Sequence, residues 1–257
     1  MSISTSHPRI AVIGGSGFGE AFIQGESEAV KTAFGEASVV RGALNGVDIV
    51  FLARHGAGHK IPPHLINHRA NIAALKEIGV EGVFSTVAVG SLRTDMTPGE
   101  FVIVDDFVDM TKGSVTTFFD KVGDVRHTDF SEPFDPYLRG LLISHSEQTA
   151  PAHGDAGIHP AGTYLCLSGP RYETPAEIRL YAGLGCDVVG MTGAYEAILC
   201  REIGLPYASI AVVTNYACGL VGETPLTHAE VEDQMRRSRA YLVDVFGSIT
   251  AQLGAGA

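Results

Sequence analysis

Short apolar runs recur along the chain, rich in β-branched residues and closed by glycine, serine or threonine. Each reads as a buried strand. They cover residues 10–13, 48–53, 82–86, 101–104, 163–167, 188–191 and 208–213. Helical patterns separate them. Residues 67–78 set Ala70, Ala74 and Ile78 on one face, with Gly79 just beyond. Thr174-Pro175 followed by Glu177 has the cap, first-turn proline and early acid of a helix start. Residues 194–203 and 227–252 predict two more helices, the latter with Thr227 and Glu230 at capping-box spacing. Strands alternating with helices predict an α/β fold: a central mixed, largely parallel twisted sheet flanked by helices. Ligands of such sheets collect at the carboxyl ends of strands. Here those ends carry Gly14-Gly15-Ser16-Gly17, Arg54-His55-Gly56, Thr86 to Gly90 and Thr214-Asn215. They are expected to converge on one composite site.

Composition narrows the classes. Of 257 residues, 45% are hydrophobic and 18% charged, which excludes a disordered chain and supplies a large core. Without a low-complexity linker or repeat, one domain over residues 1–257 is expected, residues 1–8 forming a flexible N-terminus. A net charge of −11 makes nucleic acid and anionic membranes poor partners. No signal-peptide pattern opens the chain, and no apolar run approaches the roughly 20 residues of a membrane helix. Cys166, Cys186, Cys200 and Cys218 form no CxxC pair, so reduced thiols in a cytoplasmic protein are expected rather than a zinc site.

The glycine loop after the first strand offers amides and the Ser16 hydroxyl to an anion. Its spacing, GxGxxE, departs from the dinucleotide fingerprint and weakens an NAD-dependent oxidoreductase reading. Arg54 suits a phosphate through fork-like hydrogen bonds, and His55 can add a donor. Tyr172 can stack on a flat base while Glu173 accepts from ring N–H groups. Asn215 ends an apolar strand, where an unpaired amide is costly, and it both donates and accepts. Thr192 adds a hydroxyl at another strand end. Taken singly, each fits a plainer role: a tight turn, a surface pair, a helix cap or a strand-end cap.

Taken together, the segments 10–18, 52–59, 67–79, 90–109 and 162–215 resemble the trimeric purine nucleoside phosphorylase and methylthioadenosine phosphorylase family. The resemblance implies phosphorolysis of a purine nucleoside, with inorganic phosphate as co-substrate and no cofactor or metal. It assigns phosphate contacts to Ser16, Arg54, His55, the Ala88 amide and Thr192. Met191 lies against the sugar. Tyr172, Glu173, Thr214 and Asn215 form the purine pocket, and Glu173, Asn215 and His55 carry the catalytic duties. His127 is lent to a neighbouring subunit of a homotrimer. Two departures stand out: Val87 replaces a usual Thr or Asn of the phosphate loop, and Tyr195 replaces the proline before Glu196.

Family members preferring 6-aminopurines carry acids at the positions of Asn215 and Ala217. Their absence, with Glu173 retained, implies a 6-oxopurine. His228 matches the histidine that meets a 5′-hydroxyl, which implies inosine or guanosine. The alternatives are S-methyl-5′-thioinosine, S-methyl-5′-thioadenosine, or binding of a nucleoside without turnover.

Overall fold

Eleven strands join in one sheet in a computed structural model, which describes residues 9–15, 22–113, 115–222 and 227–255. The expected flexible stretch 1–8 lies outside the described residues. The strands are β1 (Arg9–Gly14), β2 (Gly25–Thr32), β3 (Gly35–Leu44), β4 (Val47–Ala53), β5 (Gly82–Ser91), β6 (Phe101–Ile103), β7 (Asp106–Asp109), β8 (Ile158–His159), β9 (Thr163–Cys166), β10 (Val188–Gly190) and β11 (Tyr207–Tyr216). Six of the ten strand pairings are parallel, so the sheet is mixed and largely parallel, as the alternation predicts.

The order β4-β1-β5-β11 runs parallel throughout, which sets four carboxyl ends side by side. β10 pairs antiparallel with the far end of β5, Val189 opposite Gly90. Its own carboxyl end therefore meets the same edge from the other direction. β5 is buried along almost its whole length and runs past Thr86 to Ser91, because β11 pairs with it all the way. The strand is thus five residues longer than its apolar run suggests.

Among the described residues, five α-helices cover the sheet: α1 (His68–Ile78), α2 (Pro136–Thr149), α3 (Pro175–Gly183), α4 (Gly193–Glu202) and α5 (His228–Ala255). Ile72, Leu75 and Ile78 of α1 share one core with Ala197 and Leu199 of α4. Leu138 and Leu142 of α2 share the other with Met235, Leu242 and Phe246 of α5. The helix ends follow the predicted chemistry. Gly79 closes α1 at φ 84°, and Thr174 and Glu177 cap α3 reciprocally, while Asn67, read from the sequence as helical, instead caps α1 by accepting from the Ala70 amide. Thr227 and Glu230 do the same for α5.

The sequence pattern omits the β2–β3 hairpin, β7, β8 and α2. β2 is a largely exposed edge strand with no apolar run to betray it. No helix among the described residues is long and apolar enough to cross a membrane. All four cysteines are free, three of them buried.

Candidate active site

One cavity of about 400 Å³ opens where these strand ends meet, a size suited to a small molecule. Its lining includes Arg54, His55, Ala88, Tyr172, Glu173, Met191, Thr192, Thr214, Asn215 and His228. Ten of the twelve residues singled out from the sequence are thereby brought together. Ser16 lies outside the described residues, although its neighbour Gly15 lines the cavity. His127 is exposed and does not line it within the single chain.

Arg54 leaves the end of β4 and is fully enclosed. Its Nε and Nη2 form an ion pair with both carboxylate oxygens of Glu196, so the fork is not free for a ligand. This corrects the expectation of a forked phosphate contact. Nη2 also donates to Ser85 Oγ at 2.7 Å, and Nη1 to the Thr86 carbonyl at 3.0 Å. Burial opposes the charge of Arg54, but Glu196 outweighs it and holds the guanidinium protonated. Burial likewise disfavours a charged Glu196, and Arg54 overrides it, so the carboxylate stays ionised.

His55 points Nδ1 at the Ile61 carbonyl, 2.8 Å away. A carbonyl only accepts, so Nδ1 carries the hydrogen and Nε2 of the neutral ring is an acceptor. Burial, reinforced by Arg54, pushes its pKa down to about 4. At neutral pH His55 is therefore an uncharged acceptor at Nε2, not the donor expected from its residue type alone.

Thr192 precedes α4 and its side chain makes no capping bond, which leaves the buried hydroxyl facing the cavity. The amides of Thr192 and Gly193 are 3.2 Å from the Tyr164 hydroxyl. Val87, the departure noted in the phosphate loop, is buried in the core and takes no part in the lining. The other departure, Tyr195, stacks on His68 with ring centroids 4.6 Å apart.

The pairing of β11 with β5 slips between Val213 and Asn215. In a regular strand Thr214 and Asn215 would face opposite sides; the bulge lets both line the cavity. Asn215 Nδ2 donates to the Tyr216 carbonyl at 2.9 Å, and its Oδ1 lies 2.8 Å from the Thr214 hydroxyl. One N–H and one lone pair remain for a ligand. A side chain at Gly90 would crowd that amide, since a Cβ there would stand 3.1 Å from Nδ2. Glu173 is buried, and burial raises its pKa. Tyr172 and Ala217 also line the cavity.

Residues 9–249 match the Phosphorylase superfamily. The chain belongs to that family. A 6-oxopurine nucleoside phosphorylase of Pyrococcus furiosus is 47% identical over 92% of this chain and 89% of its own length. An S-methyl-5′-thioadenosine phosphorylase of Thermofilum pendens is 42% identical over 94% of this chain and 92% of its own. Among solved structures, methylthioadenosine phosphorylase from Schistosoma mansoni in complex with adenine superposes with a TM-score of 0.89. It is 34% identical, over 96% of this chain and 92% of that one.

Within this phosphorylase chain, two cavity neighbours escaped the sequence reading. Glu196 sits four residues after Thr192, one helical turn inside α4, and its spacing from a strand-end hydroxyl was the available signal. His59 lines the cavity between His55, at 4.1 Å, and His228, at 5.4 Å between ring centroids. Its φ of 55° turns the loop back toward the site, a geometry that no local pattern announces.

Proposed function

We propose that this phosphorylase cleaves 6-oxopurine nucleosides, inosine and guanosine, with inorganic phosphate to give the free purine and ribose 1-phosphate. The observation that carries the substrate choice is that Glu173, Asn215 and Ala217 all line the cavity. A carboxylate at Glu173 accepts from N1–H and a 2-amino group. The free Asn215 N–H donates to the 6-oxo group, and no second acid stands at Ala217 to receive a 6-amino group.

Breaking the glycosidic bond builds positive charge on the sugar and negative charge on the purine. Phosphate held by Gly15-Ser16, the free Arg54 N–H, Ala88 and Thr192, with His55 Nε2 accepting from its P–O–H, stabilises the sugar cation and attacks the anomeric carbon. Asn215 and Glu173 stabilise the departing base. The catalysis is positional and electrostatic, with the donors already in place. Met191 packs against the ribose, and the His59–His228 stack faces its 5′ end.

The assembly is inferred to be a homotrimer in which His127 completes a neighbour's sugar site. Its exposure outside its own chain's cavity supports that reading. A cytoplasmic role in purine salvage fits the free cysteines.

A panel of inosine, guanosine, adenosine, S-methyl-5′-thioinosine and S-methyl-5′-thioadenosine, with and without phosphate, tests the substrate. Phosphate-dependent release of hypoxanthine and guanine at the highest kcat/KM is expected. A best rate with S-methyl-5′-thioadenosine would overturn the reading of Asn215 and Ala217. Preference for S-methyl-5′-thioinosine would overturn only the reading of His228.

A further inference from the structure

The Arg54 guanidinium has five N–H groups. Nε and one Nη2 hydrogen go to Glu196, the second Nη2 hydrogen to Ser85 Oγ, and one Nη1 hydrogen to the Thr86 carbonyl. A single Nη1–H remains uncommitted among the described residues. Nη1 lies against Gly15 in the cavity wall, since a Cβ on Gly15 would come within 2.5 Å of it. The arginine therefore presents one aimed donor to the cavity.

Glu196 does the aiming. Its Oε1 takes Arg54 Nε, and its Oε2 receives Arg54 Nη2 at 3.0 Å, Ser85 Oγ at 2.8 Å and the Tyr207 hydroxyl at 2.9 Å. The carboxylate is thus held from β4, β5 and β11 at once. It also stands one turn along α4 from Thr192, which lines the same cavity as Arg54. A buried ion pair adds little net stability over a well-packed apolar pair. What this one supplies is geometry: it ties the arginine at the end of β4 to the helix that carries Thr192.

We propose that Glu196 is a positioning residue for phosphate, orienting the free Nη1–H of Arg54 through its two-point ion pair without touching substrate itself. The proposal rests on the phosphorylase reading of the cavity. Glu196→Gln keeps the shape of the side chain but replaces one acceptor oxygen by a donor that clashes with Arg54 N–H. The KM for phosphate is expected to rise roughly tenfold or more, as for loss of a charge-assisted hydrogen bond, while the KM for inosine stays within about twofold. Tyr207→Phe, a milder change that removes one donor to Glu196 and leaves Arg54 intact, is expected to raise the phosphate KM roughly two- to fivefold. It decides the matter if Glu196→Gln does not fold. Folded variants whose phosphate KM is unchanged, or whose phosphate and inosine KM values rise together, would overturn the proposal: the pair would then serve the fold alone. Phosphate-dependent cleavage by the unmodified protein is the control, and its absence would count against the phosphorylase reading first.

Discussion

At the scale of single residues, burial and partner decide what each group does, and residue type alone misleads. Arg54 looks like a fork for phosphate, yet the fork is spent on Glu196. His55 looks like a cationic donor, yet its Nδ1–H is committed to the Ile61 carbonyl and its pKa is pushed to about 4. The Tyr216 carbonyl fixes which side of the Asn215 amide donates and leaves its second N–H as a donor for a ligand. Asn215→Asp replaces that donor by an acceptor. Inosine kcat/KM is expected to fall roughly a hundredfold while the adenosine-to-inosine ratio rises, because a site built for one hydrogen-bond pattern rejects its complement. An unchanged ratio in steady-state assays would show that Asn215 does not read the 6-position.

Among elements, the site is made where parallel strands end and where regularity breaks. The bulge at Thr214 turns two consecutive side chains into one cavity, and Gly90 on the neighbouring strand makes room for the second. Gly15, at the end of β1, lets the backbone close on Arg54. Gly15→Ala would place a methyl 2.5 Å from Nη1 and 3.3 Å from the Thr86 carbonyl. The arginine cannot swing aside, since Glu196 holds it at two points. The expected result is a phosphate KM raised roughly tenfold with the helical circular dichroism unchanged, the loss of about one charged hydrogen bond. Wild-type phosphate kinetics in the alanine variant would mean that the loop relaxes at no cost.

For the whole molecule, two buried histidines link stability to pH. His55 and His68 both have pKa values lowered to about 4, in each case chiefly by burial. Both ring nitrogens of His68 lack a hydrogen-bond partner among the described residues, where the nearby Glu196 is what favours its protonated form. Between pH 4 and 6.5 the unfolded chain binds more protons at these two sites than the folded one. Stability therefore rises with pH across that window, and these groups add no further slope above it. Urea unfolding at fixed protein concentration should show a loss of about 2–4 kcal/mol between pH 7.5 and 5. His68→Phe removes its share of that slope and the two unpartnered nitrogens with it, so it is expected to stabilise the protein most at pH 5. A slope unaffected by the substitution would place the titration elsewhere.

The alternation of the main strands and helices was legible in the sequence, as were Gly79 after α1, the caps at Thr174 and Thr227 and the convergence of the polar strand ends. Each follows from local pattern, since alternation, capping and turn chemistry act over a few neighbouring residues. The same local reasoning overlooked the exposed edge strand β2, which buries too little to leave an apolar run. It also overlooked α2, although Leu138, Leu141 and Leu142 stand at helical spacing behind Asp135-Pro136. Only the tertiary structure decided that Arg54 and Glu196, 142 residues apart, neutralise each other, and that His55 enters the site as a neutral acceptor. Partnership of that kind leaves no trace in periodicity, because burial and hydrogen bonding across a fold depend on which distant segments are brought within a few ångströms.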